Sequence, residues 1–370
     1  MSDAQSSKTR RPATERASSN SVDHLVMDFG RWLTEEDEYS DIIISSRIRL
    51  ARNLKGFPFP NRFEDEDAIK IRRKVKAACH KCPSLENARY YDIDKLAEWD
   101  RKYFVERRLA SPQLIDNGLR PMLVIGANES LSIMVNEEDH LRIQCIEPGL
   151  GLSPAWKIIS RVDDELEEHL RFSYSHKYGY LTACPTNLGT GLRASIFVHL
   201  PALSLQENIN KVMNELLTSE IAVRGFYGEA SESVGNIFQI SNQLTLGRTE
   251  ESVLERMVKI AVRIVQLERE AREELYSKQR IKLEDTVFRA LGILKHARVI
   301  SSLEAMNHLS NLRLGCELGL VKSLTRLAVN QLMVLVQPAH LQKIYGELLD
   351  AEERDVVRAN FIRENLEDAI

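Results

Sequence analysis

Arginine recurs in this chain where apolar patterning leaves it little room. Ser45-Ser46-Arg47-Ile48-Arg49 lies in an apolar, β-branched run from Ile42 to Leu50, and strand alternation sends Arg47 and Arg49 to one face. Two guanidiniums about 6 Å apart repel by roughly 3 kcal/mol at an effective dielectric near 20, so such a pair in a cleft calls for an anionic partner. At a strand end, one of them would simply be solvated. Gly189-Thr190-Gly191-Leu192-Arg193 follows Cys184-Pro185-Thr186-Asn187 and would let backbone amides approach a phosphate while Arg193 reaches in. Arg224-Gly225-Phe226-Tyr227-Gly228-Glu229 repeats the theme, an arginine at a strand end and then a glycine-containing loop and a carboxylate. Between them, Asn136-Glu137-Glu138-Asp139-His140-Leu141-Arg142 is an acidic turn between two apolar strands. Taken singly, an acidic turn is a solvated loop and a G-x-G is weak evidence. The G-x-x-x-x-G-K-[ST] loop and the H-R-D and D-F-G set of ordinary protein kinases do not occur.

The elements that must position these residues read as a mixed α/β region followed by helices. From Asp41 to about Gly247, β-branched runs (Ile42 to Leu50, Ile133 to Ile146, Tyr180 to Cys184, Ala194 to His199, Ala222 to Tyr227, Ile237 to Ser241) alternate with helical patterns. Arg62 to Cys82 reads as a helix, Ala127-Asn128 as a hairpin turn, Ser153-Pro154 as the start of a helix to about Arg171, and Pro201 as the start of another to about Ser219. After Thr249, Val253, Met257, Ile260, Ile264, Leu267 and Ala271 form a helical apolar stripe. Ser301 with Glu304 and Asp350 with Glu353 have capping-box spacing. The expected division is a disordered tail at 1–24, an α/β (α+β) unit at 25–249 and an all-helical unit at 250–370.

Composition narrows the function classes. Of 370 residues 43% are hydrophobic and 28% charged, and 50 Lys+Arg against 54 Asp+Glu leave a net charge of −4. No global field favours a polyanion, so general nucleic-acid binding is disfavoured and any anion site must be local. No apolar run reaches the roughly 18 to 20 residues of a membrane span, and the N-terminus lacks a signal-peptide core, so a cytoplasmic location is expected. The five cysteines are odd in number and scattered, which fits a reducing compartment. Cys79 and Cys82 form a C-x-x-C without the further ligands of a structural zinc site, and read as small residues ending an amphipathic helix.

Together, SSRIRLAR, NEEDHLRIQ, CPTNLGTGLRA and the RG-x-x-G-E loop before ISN resemble, in order, the catalytic domain of the phosphagen (guanidino) kinases from Ser45 to about Thr249. The resemblance implies a catalytic domain with an antiparallel sheet flanked by helices. It also implies that Arg47, Arg49, Arg142, Arg193 and Arg224, with Ser46, hold the phosphates of ATP, that Glu138 and Glu229 hold the acceptor guanidinium, and that Cys184 is the reactive cysteine. The chemistry fits: a guanidinium has a pKa above 12, so carboxylates must orient it and accept its proton. Arginines and a magnesium ion would neutralise the loose phosphoryl transition state.

Two departures stand out. SSRIRLAR begins too early for the helical N-terminal lobe of the small-molecule enzymes, and Phe197 and Gln239 replace a nucleotide-contacting His and an Asp. With its helical extension the chain resembles the bacterial protein-arginine kinases, whose R-D-x-x-R-A motif binds phosphoarginine. Arg354-Asp355-Val356-Val357-Arg358-Ala359 matches that motif, and at i and i+4 Arg354 and Arg358 share a helix face, with Asp355 available to meet a guanidinium. The implied partners are protein substrates with exposed arginine, a zinc-binding activator protein and a Clp-type ATPase/protease in a stress response. A homodimer through the C-terminal domain is implied as well.

Overall fold

The protein is described from a computed structural model, covering residues 28–116, 119–217, 220–225 and 234–367. The expected tail at 1–24 lies outside these residues. In chain order the first elements are β1 (Ile43–Arg52), α1 (Asp65–Cys79), β2 (Arg89–Asp92), α2 (Glu98–Glu106), α3 (Pro112–Asp116), β3 (Met122–Ile125), β4 (Leu131–Val135), β5 (Leu141–Pro148) and α4 (Leu152–Glu167). There follow β6 (Tyr174–Ser175), β7 (Gly179–Tyr180), β8 (Leu192–His199), α5 (Pro201–Leu205), α6 (Ile209–Leu217), β9 (Ile221–Gly225) and β10 (Ile237–Asn242). Helices complete it: α7 (Glu250–Lys278), α8 (Arg280–His296), α9 (Ser302–Glu317), α10 (Arg326–Leu335), α11 (Pro338–Tyr345) and α12 (Ala351–Leu366).

An eight-stranded sheet of order β2-β3-β4-β5-β1-β8-β10-β9 organises the molecule, every neighbouring pair antiparallel. β1, central in that order, shows why one face is apolar and the other is not. Ile48 and Leu50 enter the core with α1, α4 and α7, while the intervening Arg47 and Arg49 emerge on the opposite face. Three acidic residues in the first turn of α1 (Asp65, Glu66, Asp67) complement its dipole, and Ala68, Ile71, Val75, Ala78 and Cys79 form its buried stripe. Both thiols of the C-x-x-C are buried, and desolvation pushes them up, to about 12 at Cys79 and about 11 at Cys82.

Several boundaries differ from the sequence reading. α4 starts at Leu152 with Gly151 as its N-cap, so Ser153 and Pro154 lie inside the first turn. A side chain at Gly151 would come within 2.6 Å of Glu147 Cβ, and glycine lets the chain turn there. The helix expected from Pro201 is two, broken where Glu207 takes a left-handed φ of 60°. Of the Tyr180–Cys184 run only Tyr180 pairs as a strand, at the end of β7, because side chains take backbone groups beyond it, Asp139 accepting from Ala183 N–H and Thr182 donating to Cys184 O. Asp350 and Glu353 make a complete capping box, whereas Ser301 caps α9 alone. β2 went unread in the sequence.

The helical remainder is fastened to the sheet by buried polar contacts. Arg313 donates to Asn330, to the carbonyls of Ser40 and Asp41 and to His199 Nδ1, and His199 Nε2–H donates to Ser310. Burial and the Arg313 charge hold His199 neutral. α7 packs Val253, Met257, Ala261 and Ile264 into the core cluster of the sheet, and Glu268 on the same helix accepts from Ala202 and Leu203 N–H at the start of α5. α8 to α12 build a second cluster, which also takes Phe197, Val234 and Ile237.

Candidate active site

The arginine face of the sheet floors a cavity of about 790 Å³. Register places its residues in rows: Arg49 stands opposite Arg193 on β8 and Gln144 on β5, and Arg47 opposite Ser195. Phe197 stands opposite Gln239, which in turn faces Arg224. Arg142 joins at the end of β1, opposite Ala51. Arg47, Arg49, Arg142, Arg193 and Arg224, drawn from four separate strands, therefore line one cavity.

Among the described residues, two of these cations bond to neutral side chains. Arg47 Nη2 donates to Gln239 at 3.1 Å and Arg193 donates to Ser241, both neutral partners. Arg47 Nε and Arg49 Nε are buried with no hydrogen-bond partner among the described residues. Burial first, then the charges of Arg108, Arg142, Arg193 and Arg224, press the Arg47 guanidinium well below its ordinary range. Arg49 is pressed down by burial and by Arg47, Arg142 and Arg193, with Glu137 opposing. A polyanion entering such a site meets several guanidiniums at once and supplies charge of the opposite sign and further acceptors.

The acidic turn divides its labour. Glu137 is buried: one carboxylate oxygen takes bonds from Arg142 (2.5 Å) and Ser111 (2.6 Å), the other from Glu138 N–H (3.0 Å). Burial raises its pKa, but Arg142, Ser111, the Glu138 amide and Arg49 together outweigh that and hold the carboxyl below its usual range. Glu138 is the more open carboxylate, its side chain 28% exposed, held loosely by Arg142 and Asn187 at 3.3 Å each. Asp139 pins this turn to the cysteine loop through Asn53, Ala183 N–H and Asn187. Cys184, half-buried, lines the same cavity with its Sγ 3.0 Å from Thr186 Oγ1. Behind the turn, His140 accepts from Leu54 N–H at Nδ1 and donates from Nε2 to Pro58 O; burial lowers its pKa to about 4, so it is a neutral strut.

Of the residues read from sequence, the cavity gathers the five arginines, Glu138 and Cys184. Ser46 does not line it: alternation turns this residue to the other face, where its hydroxyl donates to Gly149 O. Glu229 lies outside the described residues. Arg354, Asp355 and Arg358 sit elsewhere, on α12. Arg358 is 1% exposed and donates to Val336 O, Ile300 O and Asp355, while the half-buried Arg354 donates to Leu349 O. Arg108, Glu137 as the clamp of Arg142, and Gln337 at the N-cap of α11 also line the cavity, and were not singled out from sequence. The NEEDH segment held the signal for Glu137. Nothing in the sequence near Arg108 or Gln337 pointed to this cavity.

Among the described residues, no group of three His, Cys, Asp or Glu is arranged to hold a metal ion. No described helix is long and apolar enough to cross a membrane.

Residues 70–271 match the family model described as ATP:guanido phosphotransferase, C-terminal catalytic domain, and residues 280–369 match that of the protein-arginine kinase McsB C-terminal domain. The chain is 44% identical to the protein-arginine kinase of Halothermothrix orenii over 93% of this chain and 98% of that one. It is 46% identical to the protein-arginine kinase of a Geobacillus species over 90% and 93% of the respective chains. Among solved structures it is similar to the duplicated taurocyamine kinase of Schistosoma mansoni with bound transition-state-analogue components, with a TM-score of 0.58 and 28% identity. That match covers 64% of this chain and 35% of the duplicated enzyme, so the chain spans about a third of its length. Lombricine kinase shares the fold at a TM-score of 0.56 and 21% identity, covering 64% of this chain and 70% of that one.

Proposed function

The chain belongs to the protein-arginine kinase family of the ATP:guanido phosphotransferases, and from that premise we propose which of its residues carry the reaction. It transfers the terminal phosphoryl group of ATP to the guanidino group of arginine in proteins, with a divalent cation. We infer that the cation is Mg2+, which would neutralise charge on the nucleotide phosphates during transfer.

The observation that carries the assignment of roles is the convergence of five arginines from four strands with Glu138 and Cys184 in one cavity. Arg47, Arg49, Arg142, Arg193 and Arg224 bind the phosphates and neutralise charge as the terminal phosphoryl group moves. Glu138, with Glu229, orients the acceptor guanidinium, aligns one nitrogen with phosphorus and accepts its proton. Glu137 keeps Arg142 fixed. Cys184 adds negative charge beside the acceptor cation when ionised.

The direct test supplies Mg-ATP and an arginine-rich unfolded protein and looks for acid-labile phosphate on arginine. Labelling of free arginine or creatine in place of protein would point to a small guanidino metabolite instead.

For α12 we propose phosphoarginine recognition by Arg354, Asp355 and Arg358, supported by the i, i+4 spacing of the arginines on a regular helix. Arg358 would exchange bonds that it now makes to Val336 and Ile300 carbonyls. Calorimetry with free phosphoarginine should show weaker binding in Arg354→Ala and in Arg354→Lys, which loses the planar fork; equal affinity to wild type would place that ligand elsewhere. We further propose a cytoplasmic bacterial setting, marking of proteins for a Clp-type protease in a stress response, a zinc-binding activator, and a homodimer through the helical unit. The division into a catalytic and a helical unit remains part of this reading, with α7 packed on the catalytic sheet.

A further inference from the structure

A second cavity, of about 410 Å³, opens where the segment after β1 meets the C-terminal ends of α1 and α4, and it shares no lining residue with the arginine cavity. Of its ten lining residues five are basic, Lys55, Lys74, Lys81, His169 and Arg171, and none is acidic. The chain as a whole carries a net charge of −4, so positive charge gathers here against the trend. Cations near helix C-termini complement the helix dipole, and Lys81 and Arg171 gain something from that. It does not use them up. Among the described residues, none of the five side chains makes a hydrogen bond or an ion pair, and Lys74 lies 6.0 Å from the centre of the Phe57 ring. Buried Leu54, Ala78 and Leu170, with half-buried Phe57, supply the apolar part of the wall.

One wall of this cavity is bonded to the turn that carries Glu138, which the kinase reading above, on which this inference rests, makes the catalytic carboxylate. Asn53 donates to Asp139 at 2.6 Å and accepts from His140 N–H at 2.9 Å. Leu54 N–H donates to His140 Nδ1, and His140 Nε2–H donates to Pro58 O at 2.8 Å. The 53–58 segment thus grips the two residues that follow Glu138. On its other side the same segment is tied to the chain after α4, where Lys55 N–H donates to Arg171 O and Ser173 N–H to Asn53 O. Glu138 itself is held loosely, by bonds of 3.3 Å from Arg142 and Asn187, so its placement depends on how firmly this turn is held.

We propose that this second cavity is an effector site for a small organic polyanion, one bearing two or more phosphate or carboxylate groups on a short carbon body. The charged groups would meet Lys55, Lys74, Lys81 and Arg171, and the carbon body the apolar wall. Its size suits a small molecule, and a ligand with a guanidinium of its own would find no carboxylate in the lining. An anion bridging Lys55 to α1 and to the chain after α4 ties the 53–58 segment down from both sides. Through Asn53 and His140 that steadies the turn of Glu138 and raises turnover.

Calorimetry on the full chain, with saturating ADP filling the arginine cavity, tests binding with two probes, 2,3-bisphosphoglycerate for phosphate and citrate for carboxylate. At least one should bind, and the one that binds tighter names the source of the charge. Lys74→Gln/Lys81→Gln, at two exposed positions, should weaken that probe by about tenfold or more while ADP affinity stays within about twofold. In wild type the same probe should raise kcat for protein arginine at saturating Mg-ATP by about fivefold, and in the double variant it should leave kcat unchanged. Binding of neither probe, equal affinity in wild type and variant, or a kcat that the bound probe leaves unchanged or lowers would overturn the effector site. So would binding of an Asp-rich peptide alone, which would make the basic cluster a protein-docking surface. Absence of ADP binding and of turnover in the wild-type protein without any probe would instead overturn the kinase reading.

Discussion

The cavity and α12 both bury arginine, and they bury it in opposite ways. On α12, Arg358 is 1% exposed and donates to two backbone carbonyls and the carboxylate of Asp355. In the cavity, Arg47 and Arg49 are surrounded by other guanidiniums and keep buried Nε groups without partners among the described residues. A buried guanidinium bonded to backbone carbonyls and a carboxylate holds a fold together, whereas several guanidiniums crowded around one cavity suit the binding of an anion. The number of arginines distinguishes the two regions less than the bookkeeping of their hydrogen bonds does.

The largest expected effect tests the cavity's chemistry. Glu138→Gln should lower kcat by about 100- to 10,000-fold, the usual contribution of a general base, with ATP affinity retained by calorimetry. Near-normal turnover would remove the role assigned to the open carboxylate of the pair and leave Glu137 as the one to examine.

Next comes Arg358→Met, which should destabilise the protein by about 3 kcal/mol in urea unfolding because it strips the Val336 and Ile300 carbonyls and the partly exposed Asp355 carboxylate of their donor. Arg49→Met should instead leave apo stability unchanged or raise it, as one of several like charges goes. Equal losses in the two variants would erase the contrast drawn between the regions.

Acid should act through a third kind of buried base, one kept neutral. The pKa of His140 is about 4 in the fold against 6.5 for the free side chain, so the unfolded chain binds more protons between those values and stability falls as the pH drops from 6.5 to 4. The loss should approach about 3 kcal/mol, and His140→Gln should flatten the slope in that window. An unchanged slope would mean that other groups dominate acid unfolding.

The smallest effect concerns nucleotide binding to the arginine cage. ATP at about 100 times its dissociation constant should add roughly 2.7 kcal/mol of stability, seen as a rise in Tm. Arg193→Ala should shrink that rise while Arg354→Ala leaves it intact. An identical rise in Arg193→Ala would detach the glycine-rich segment from phosphate binding.

Much of the fold was legible because it depends on local period. Alternation put Arg47 and Arg49 on one face, the apolar stripe of α7 announced a long helix, and Asp350 with Glu353 marked the start of α12. Misreadings arose where a local signal met a competing contact. Ser153-Pro154 looked like a helix start, but the turn falls at Gly151 against Glu147, and the backbone around Ala183 is claimed by Asp139 rather than by a strand. In the site, motif residues were legible as residue types. Ser46 shows the limit, since one step along the same strand reverses the face.

By itself, then, the sequence determined which residues share a strand face or a helix face, because those relations span only two to four positions and follow from backbone geometry. Tertiary structure alone decided which faces meet. Register across β5, β1, β8, β10 and β9 sets Arg142, Arg49, Arg193 and Arg224 around one space, the packing of α2 against α11 brings Arg108 and Gln337 to its edge, and carbonyls from distant turns close around Arg358. These contacts join residues tens to more than a hundred positions apart. They are selected by burial of the two apolar clusters as wholes, a collective quantity that no short segment carries.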